Sequence, residues 1–358
     1  MRICLLTNQD LDGVDEGMAE GDWPCDPRPL LPHDDWTLKV FYDREGSIEK
    51  VEELIAEGYD LFFNLLDGPA DGEDAGVEVV KILEKHGVPF TGASSRFFEP
   101  TRPQMKAACR KLGIKTPKGV TVRKEEDVEK VLQKLRFPMF VKHYNSYASV
   151  DLSRHSKVAT PEGLRRQITK ILSRHKAALV EEFIEGTECT VLVAENPKNP
   201  QKPIVYTPVQ FRFPEGSTFK HEDLKWVDYE GLSAIPVEDE ELNARLKDEA
   251  ARFFLELEGT SYGRSDVRVS EDGTTYTLEM NSNCGLFYPP ADYSSADFCL
   301  SLDPAGHEGF VEQLVIAAFA RAGKRLPNGW RAATEKRQKE RLAKAEAKKV
   351  KPSKRKVS

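Results

Sequence analysis

Apolar residues in the first hundred positions come in short solid runs separated by amphipathic stretches. Arg2–Leu6 reads as a buried strand, Trp36–Tyr42 as a second and Asp60–Leu66 as a third. The segment IEKVEELIAE between the last two repeats its apolar positions at helical spacing. A further amphipathic helix over 75–86 and a short strand at Pro89–Gly92 continue this βαβ rhythm, so a small parallel sheet is complete by Ser95. The Asp- and Pro-rich stretch from Asp10 to Pro32 interrupts it and is longer than ordinary connections, as lids and loop excursions are.

The pattern then changes. A helix from Pro103 to Leu112 stops at Gly113, and a second unit follows, with Gly119–Val122, a helix over 125–135 and the strand Met139–Lys142. A helix over 161–174 and the strand Ala178–Glu182 extend it. Thr187–Ala194, Ile204–Phe211 and Thr275–Met280 supply longer antiparallel strands, with a helix from Glu240 to Leu257 between them. No internal repeat is visible. The fold class predicted is α/β with α+β units, divided at 1–100, 101–185 and 186–325, with a tail over 326–358.

A chain of 358 residues fits two or three domains. Six cysteines at 4, 25, 109, 189, 284 and 299 show no CxxC or His-rich spacing, which argues for reduced structural thiols rather than zinc or disulfides. No apolar run reaches the roughly 20 residues of a membrane span, and MRICLL is too brief for a signal peptide, so a soluble cytoplasmic protein is expected. The net charge of −7 conceals an asymmetry: from Thr334 onward there are eleven Lys or Arg against three Asp or Glu, leaving −15 for residues 1–333. An acidic body argues against a nucleic-acid groove. The basic tail is compatible with a solvated, fraying helix or with a nuclear-targeting or RNA-touching appendage, and is expected to be a disordered appendage with no part in the chemistry.

The candidate chemistry lies in YGRSDVRVSEDGTTYTLEMNSNCGL, Tyr262–Leu286. Arg264 and Asp266 share one strand face by the two-residue period, the Glu-Asp-Gly turn at 271–273 sends the chain back, and Glu279 and Asn281 face one side of the return strand. Three hard oxygen donors thus converge beside a guanidinium, a set suited to Mg2+ with phosphate oxygens completing its shell, and a bridging Glu279 would serve a second ion. A solvated hairpin of mixed charge is the alternative. It is disfavoured because a half-buried strand, Thr275 to Leu278, runs straight into the polar segment Asn281–Gly285.

Four blocks in order resemble the ATP-grasp superfamily and, within it, the D-alanine–D-alanine ligase branch. FNLLDGPADGEDAGVEVVKILEKHGVPFTGAS is similar to the branch's N-terminal block, and RFPMFVKHYNSYASV to its strand and phosphate loop. ALVEEFIEGTECTVLV is similar to the hinge that holds adenine, and 262–286 to the metal-binding hairpin. The resemblance implies a parallel N-terminal domain with central and C-terminal α+β units clamping ATP. It places Lys142 and Arg102 on the nucleotide phosphates, with Lys225 at the terminal one. It also places the backbone of Glu181, Glu182, Phe183 and Ile184 on the adenine edge, Glu188 on the ribose, and Ser149 in the loop covering the phosphates. Asp266, Glu279 and Asn281 become the ligands of Mg2+, with Mn2+ able to substitute, and Arg264 and the Gly285 amide the stabilisers of a tetrahedral oxyanion. The implied reaction is phosphorylation of a carboxylate by ATP followed by attack of an amine, and the implied partners are small amino-acid, amine or carboxylate substrates, in a homodimer.

The chain departs from the branch at both substrate ends. The first-substrate loop reads Thr7–Gly13 without the usual Gly-Gly and Glu, Asp67 stands where the branch commonly has a histidine, and Trp226 takes a gate tyrosine position. Leu286–Pro290 lacks the small hydroxyl-bearing turn, and the phosphate loop carries Asn145, Tyr147 and Asp151 in place of glycines. Two other readings therefore stay open: an ATP-binding regulatory protein without ligase activity, and a small-molecule kinase of the same fold.

Overall fold

The solid apolar run at the start of the chain becomes β1 (Arg2–Thr7), whose Ile3 to Leu6 are wholly buried. In the computed structural model, which describes residues 1–12, 25–69, 72–145, 152–214, 219 and 233–350 (the side chains of 342 and 344–350 excepted), β1 is the middle of a parallel sheet. Its neighbours are β2 (Asp35–Val40) and β3 (Leu61–Asn64). Helices Ser47–Ala56 and Val77–His86 pack beside it, as the helical spacing predicts. The expected fourth strand is reduced to one parallel bridge, Phe62 to Phe90.

The second sheet is antiparallel, in the order β4 (Gly119–Val122), β7 (Ala178–Glu182), β5 (Met139–His143), β6 (Lys157–Val158). Helices Val128–Lys134 and Pro161–Leu172 cover it and close a core of its own, from Val120 to Val180. The third sheet runs β11-β10-β8-β12-β13, with β9 paired to β8. Its strands are β8 (Thr187–Ala194), β9 (Ile204–Val205), β10 (Val209–Arg212), β11 (Ser233–Pro236), β12 (Tyr262–Val269) and β13 (Thr275–Asn281). The single strand expected over 204–211 is split at Thr207-Pro208, where proline withholds a ladder donor and Thr207 turns its N–H and hydroxyl to Asp303, both at 2.9 Å.

Alternation along the central strands divides the third sheet into two faces. Cys189, Val191, Val193, Val267, Val269 and Met280 bury against Phe253 and Phe254 of the helix Glu240–Glu256 and against the first sheet's helices. Leu192, Ala194 and Tyr262 point the other way, into a core with Phe63, Phe287 and Phe310. The first and third sheets thus share two cores, while the second keeps its own.

Two helices follow the hairpin, Ser295–Ser301 and Gly306–Arg321. Within the tail expected to be disordered, Trp330–Val350 is instead a helix with physical anchors at its start, while 351–358 lie outside the described residues. Trp330 donates its indole N–H to Asp34 at 3.2 Å, and Glu312, only 1 % exposed, receives Arg337 at 2.6 Å and also pairs with Arg341. Basic residues that looked like a solvated tail are spent on a buried carboxylate.

Candidate active site

The register of β12 against β13 sets Arg264 opposite Asn281 and Asp266 opposite Glu279, with a bulge just beyond Asp266. Since side chains alternate across a strand, these four project from one face. β8 runs along the other side of β12 and brings Thr190 opposite Asp266. Arg264 grips Asp266 with two parallel bonds, Nε at 3.0 Å and a terminal nitrogen at 2.8 Å. The Asn281 amide donates to the same carboxylate at 3.1 Å, and the Thr190 hydroxyl also donates to it. Burial works against the Arg264 charge, but Asp266 and Glu279 hold the guanidinium well above its ordinary pKa. Arg264 therefore stays cationic throughout.

Arg102 closes the other side. It is the first residue of the helix Arg102–Leu112, whose start is fixed by a reciprocal cap in which Thr101 receives the Gln104 N–H and Gln104 receives the Thr101 N–H. From there its guanidinium reaches Glu279 at 2.8 Å, and its backbone N–H reaches the Asn145 side chain at 3.0 Å. One turn later, Lys106 meets Glu181 at 2.5 Å, and Lys142 meets the other Glu181 oxygen at 2.6 Å. Burial raises the Glu181 carboxyl, but the two ammonium groups outweigh it and hold the group down at about 2. Burial and Arg102 oppose the Lys142 charge, while Glu181 and Glu279 support it. These opposing influences link the Lys142 end of the second sheet to the Glu279 end of the third.

Beyond Glu181 the chain crosses between the sheets. Glu182 accepts the Arg136 N–H at 3.2 Å, and Phe183 lies between Phe140, Phe219 and the cations of Lys157 and Arg268. The Ile184 carbonyl accepts from Arg268, and Glu188, at the start of β8, pairs with the same arginine at 3.3 Å.

On the opposite flank, the turn after β13 is pinned from below. Ser294 donates its hydroxyl to the Gly285 carbonyl at 2.7 Å, and fully buried Asp297 takes the N–H groups of Phe287 at 2.9 Å and Ser294 at 3.1 Å. The Asp297 carboxylate also lies 3.0 Å from His307. A Cβ at 285 would meet the Tyr288 ring and hydroxyl at 2.8 and 2.9 Å, so any larger residue there would have to displace that side chain. The Tyr288 phenol bonds Cys25, and Asp67 lies close enough to act on both. Burial of its surroundings pushes the Asp67 carboxyl up to about 6, although its own surface is open to solvent.

The structure therefore brings together Arg264, Asp266, Glu279, Asn281, Arg102 and Lys142, with Gly285 at the end of the same hairpin, and places Glu181–Glu188 at the junction of the sheets. Lys225, Ser149, Trp226 and the remainder of the phosphate loop lie outside the described residues. Lys106, Thr190, Arg268, Ser294 and Asp297 are additions to the sequence reading. Two of them carried a readable signal, since Arg268 continues the alternation of Arg264 and Asp266, and Lys106 follows Arg102 by one helical turn. Among the described residues, no three His, Cys, Asp or Glu side chains gather as a metal cluster. The candidate set has two facing carboxylates and needs the Asn281 amide as its third oxygen, a hard donor set that fits Mg2+.

The sequence model described as "D-ala D-ala ligase C-terminus" matches residues 109–290. The D-alanine–D-alanine ligase of Cupriavidus metallidurans is 27 % identical over 282 residues, spanning 76 % of this chain and 80 % of that protein. The D-alanine–D-alanine ligase of Pseudomonas fluorescens is 28 % identical over 275 residues, spanning 75 % and 77 %. Among solved structures, the D-alanine–D-alanine ligase from Bacillus anthracis complexed with ATP superposes with a TM-score of 0.64 at 18 % identity, covering 90 % of this chain and 98 % of that one. The D-Ala:D-Ser ligase of Enterococcus faecalis gives 0.62 at 16 % identity, covering 88 % and 99 %. The protein is thus an ATP-dependent carbon–nitrogen ligase of the ATP-grasp fold. Within that class, the chain belongs to the D-alanine–D-alanine ligase family.

Proposed function

We propose that the protein joins the carboxylate of one small amino-acid-like substrate to the amine of another. ATP phosphorylates the carboxylate, and the amine then displaces phosphate from the acyl phosphate, leaving amide, ADP and inorganic phosphate. The observation that carries this reading is the facing register of Arg264 and Asp266 with Asn281 and Glu279, with Arg102 and Lys142 within electrostatic reach. Arg102 and Lys142 hold the nucleotide phosphates, and Lys225 is assigned to the terminal one. Mg2+ held by Asp266, Glu279 and Asn281 would neutralise charge on the transferring phosphoryl group.

Arg264 has five N–H donors, of which its pair with Asp266 uses two, so it can be aligned by that carboxylate while donating to the oxyanion that forms on amine attack. The Gly285 N–H is the second oxyanion donor, and the Ser294 and Asp297 contacts hold its turn in place. At the nucleotide end, Glu182 N–H bonds Lys118 O and Phe183 N–H bonds Pro138 O, both at 2.9 Å, which leaves reading of the base edge to Ile184 and the carbonyls of the hinge. Glu188 takes the ribose hydroxyls.

The relatives' names suggest D-alanine as both substrates. Asp67, exposed and ionised above about pH 6, supports an ammonium-bearing first substrate, while Tyr288 packed over Gly285 narrows the space for the second. The test is ADP release from ATP and Mg2+ against a panel of D- and L-amino acids, amines and hydroxy acids, with mass spectrometry of the mixtures. Amine-dependent ADP release with a dehydrated conjugate supports the ligase. A stable phosphorylated single substrate would replace it with a kinase, and ATP binding without turnover with a regulatory protein.

A further inference from the structure

Arg268 lies on β12 directly opposite Glu188 on β8, and only 3 % of it is exposed. Its guanidinium sends Nε to the Ile184 carbonyl at 3.0 Å, one terminal nitrogen to the Gly186 carbonyl at 2.9 Å and the other to the Glu188 carboxylate at 3.3 Å. Its guanidinium carbon lies 4.8 Å from the Phe183 ring centre, which also receives Lys157 at 4.2 Å. One side chain thus engages the hinge at four points between residues 183 and 188. The backbone is held from the other side as well. Gly186 has φ +127°, and a Cβ there would come within 2.1 Å of the Val269 carbonyl, so the hinge passes hard against the end of β12.

Strand pairing does not need such a residue. A buried ion pair contributes little net stability over apolar side chains of similar volume, because both charges must be stripped of water. What a guanidinium offers instead is a rigid planar fork that fixes several acceptors in one geometry, which a lysine ammonium cannot reproduce. We propose that Arg268 is a positioning residue of the nucleotide site, holding the 183–186 hinge in its base-binding shape and turning the Glu188 carboxylate toward the ribose hydroxyls. The proposal rests on the reading of Glu181–Glu188 as the adenosine end of the site, and the experiment separates the two.

Binding of ATP and of 2′-deoxy-ATP, each with Mg2+, is measured by titration calorimetry on the full chain, which needs no knowledge of the other substrates. The variants are E188Q, R268K and R268M/E188Q, the last removing both charges so that no uncompensated carboxylate is left buried, with thermal melts as the folding control. The wild type is expected to prefer ATP. E188Q and R268K should each weaken ATP about ten-fold, the order of one lost hydrogen bond to a charged group, and bring the ATP to 2′-deoxy-ATP ratio toward one. The double variant should show the ratio of E188Q with no further loss. If E188Q erases the ratio while R268K retains wild-type affinity and ratio, Arg268 is a structural residue only and the proposal falls. If E188Q itself keeps the wild-type ratio, the hinge reading falls and the proposal with it.

Discussion

Glu279→Gln changes one oxygen to an amide and nothing in shape, at a side chain that pairs with Arg102 at 2.8 Å and sits opposite Asp266. The side chains of the pair are 11 % and 20 % exposed, between a surface ion pair and a buried one. Its loss should therefore cost about 1–2 kcal/mol of stability, above the ~0–1 of exposed pairs and below the ~3–5 of buried ones. For a chain of this length, that lowers Tm by only about 1–3 °C. The catalytic cost should be far larger. Removing one preorganised group that stabilises developing charge typically costs about 100- to 1,000-fold in rate, or ~3–4 kcal/mol of barrier. The expected signature is a near-native melt and a kcat for ADP release two to three orders of magnitude down, on the order of one lost electrostatic contact. Circular dichroism melts and coupled ADP assays on the same preparation provide both numbers. Wild-type turnover in a folded E279Q would remove Glu279 from the chemistry, and a collapse of Tm would make it a structural residue.

Three further outcomes follow from the same geometry. Replacing both Arg337 and Arg341 with alanine strands the carboxylate of Glu312 and should lower stability by about 3 kcal/mol, read as a drop in Tm; an unchanged melt would refute docking of the C-terminal helix. The raised Asp67 carboxyl, near 6, is ionised above that pH and neutral below it, so KM for an ammonium-bearing substrate should rise as pH falls through about 6 and become flat in Asp67→Asn; an identical profile in the variant would exclude Asp67 from binding. Ser294→Ala frees the Gly285 carbonyl from its 2.7 Å bond and should lower kcat about ten-fold, the scale of a misplaced oxyanion donor, leaving KM for ATP unchanged; a shift confined to KM would point to a binding role instead.

The hairpin site was legible because β-strand alternation is a local rule. Arg264, Asp266, Glu279 and Asn281 could be assigned to one face without knowing anything else about the fold, and their pairing only required the turn at 271–273. The two helices after residue 294 were not legible in the same way. In Gly306–Arg321 every residue from Leu314 to Ala320 is apolar, with Ile316, Phe319 and Ala320 lying away from the face that carries Phe310 and Leu314, so apolar residues surround that part of the helix and leave no stripe to read. The C-terminal helix failed for the opposite reason. Its anchors are charged, and Arg337 and Arg341 reveal their purpose only beside Glu312, which lies on another element. Arg268 shows a third limit: the alternation places it on the site face, but only the hinge carbonyls give it work there.

The second sheet, with its separate core, makes this a molecule of two cooperative blocks rather than one. Segments with their own core can open locally while the remainder stays folded. Lys142 and Glu181 belong to the block built around Val120–Val180, whereas Glu279 and Arg264 belong to the other. A nucleotide spanning Lys142 and Glu279 would then act as a thermodynamic bolt between them. By linkage, its binding energy raises the cost of opening the smaller block first. Amide exchange in β4, β5 and β7 should slow on ATP addition more than exchange in the parallel sheet around β1, so the smaller block would report nucleotide occupancy by how long its amides stay protected.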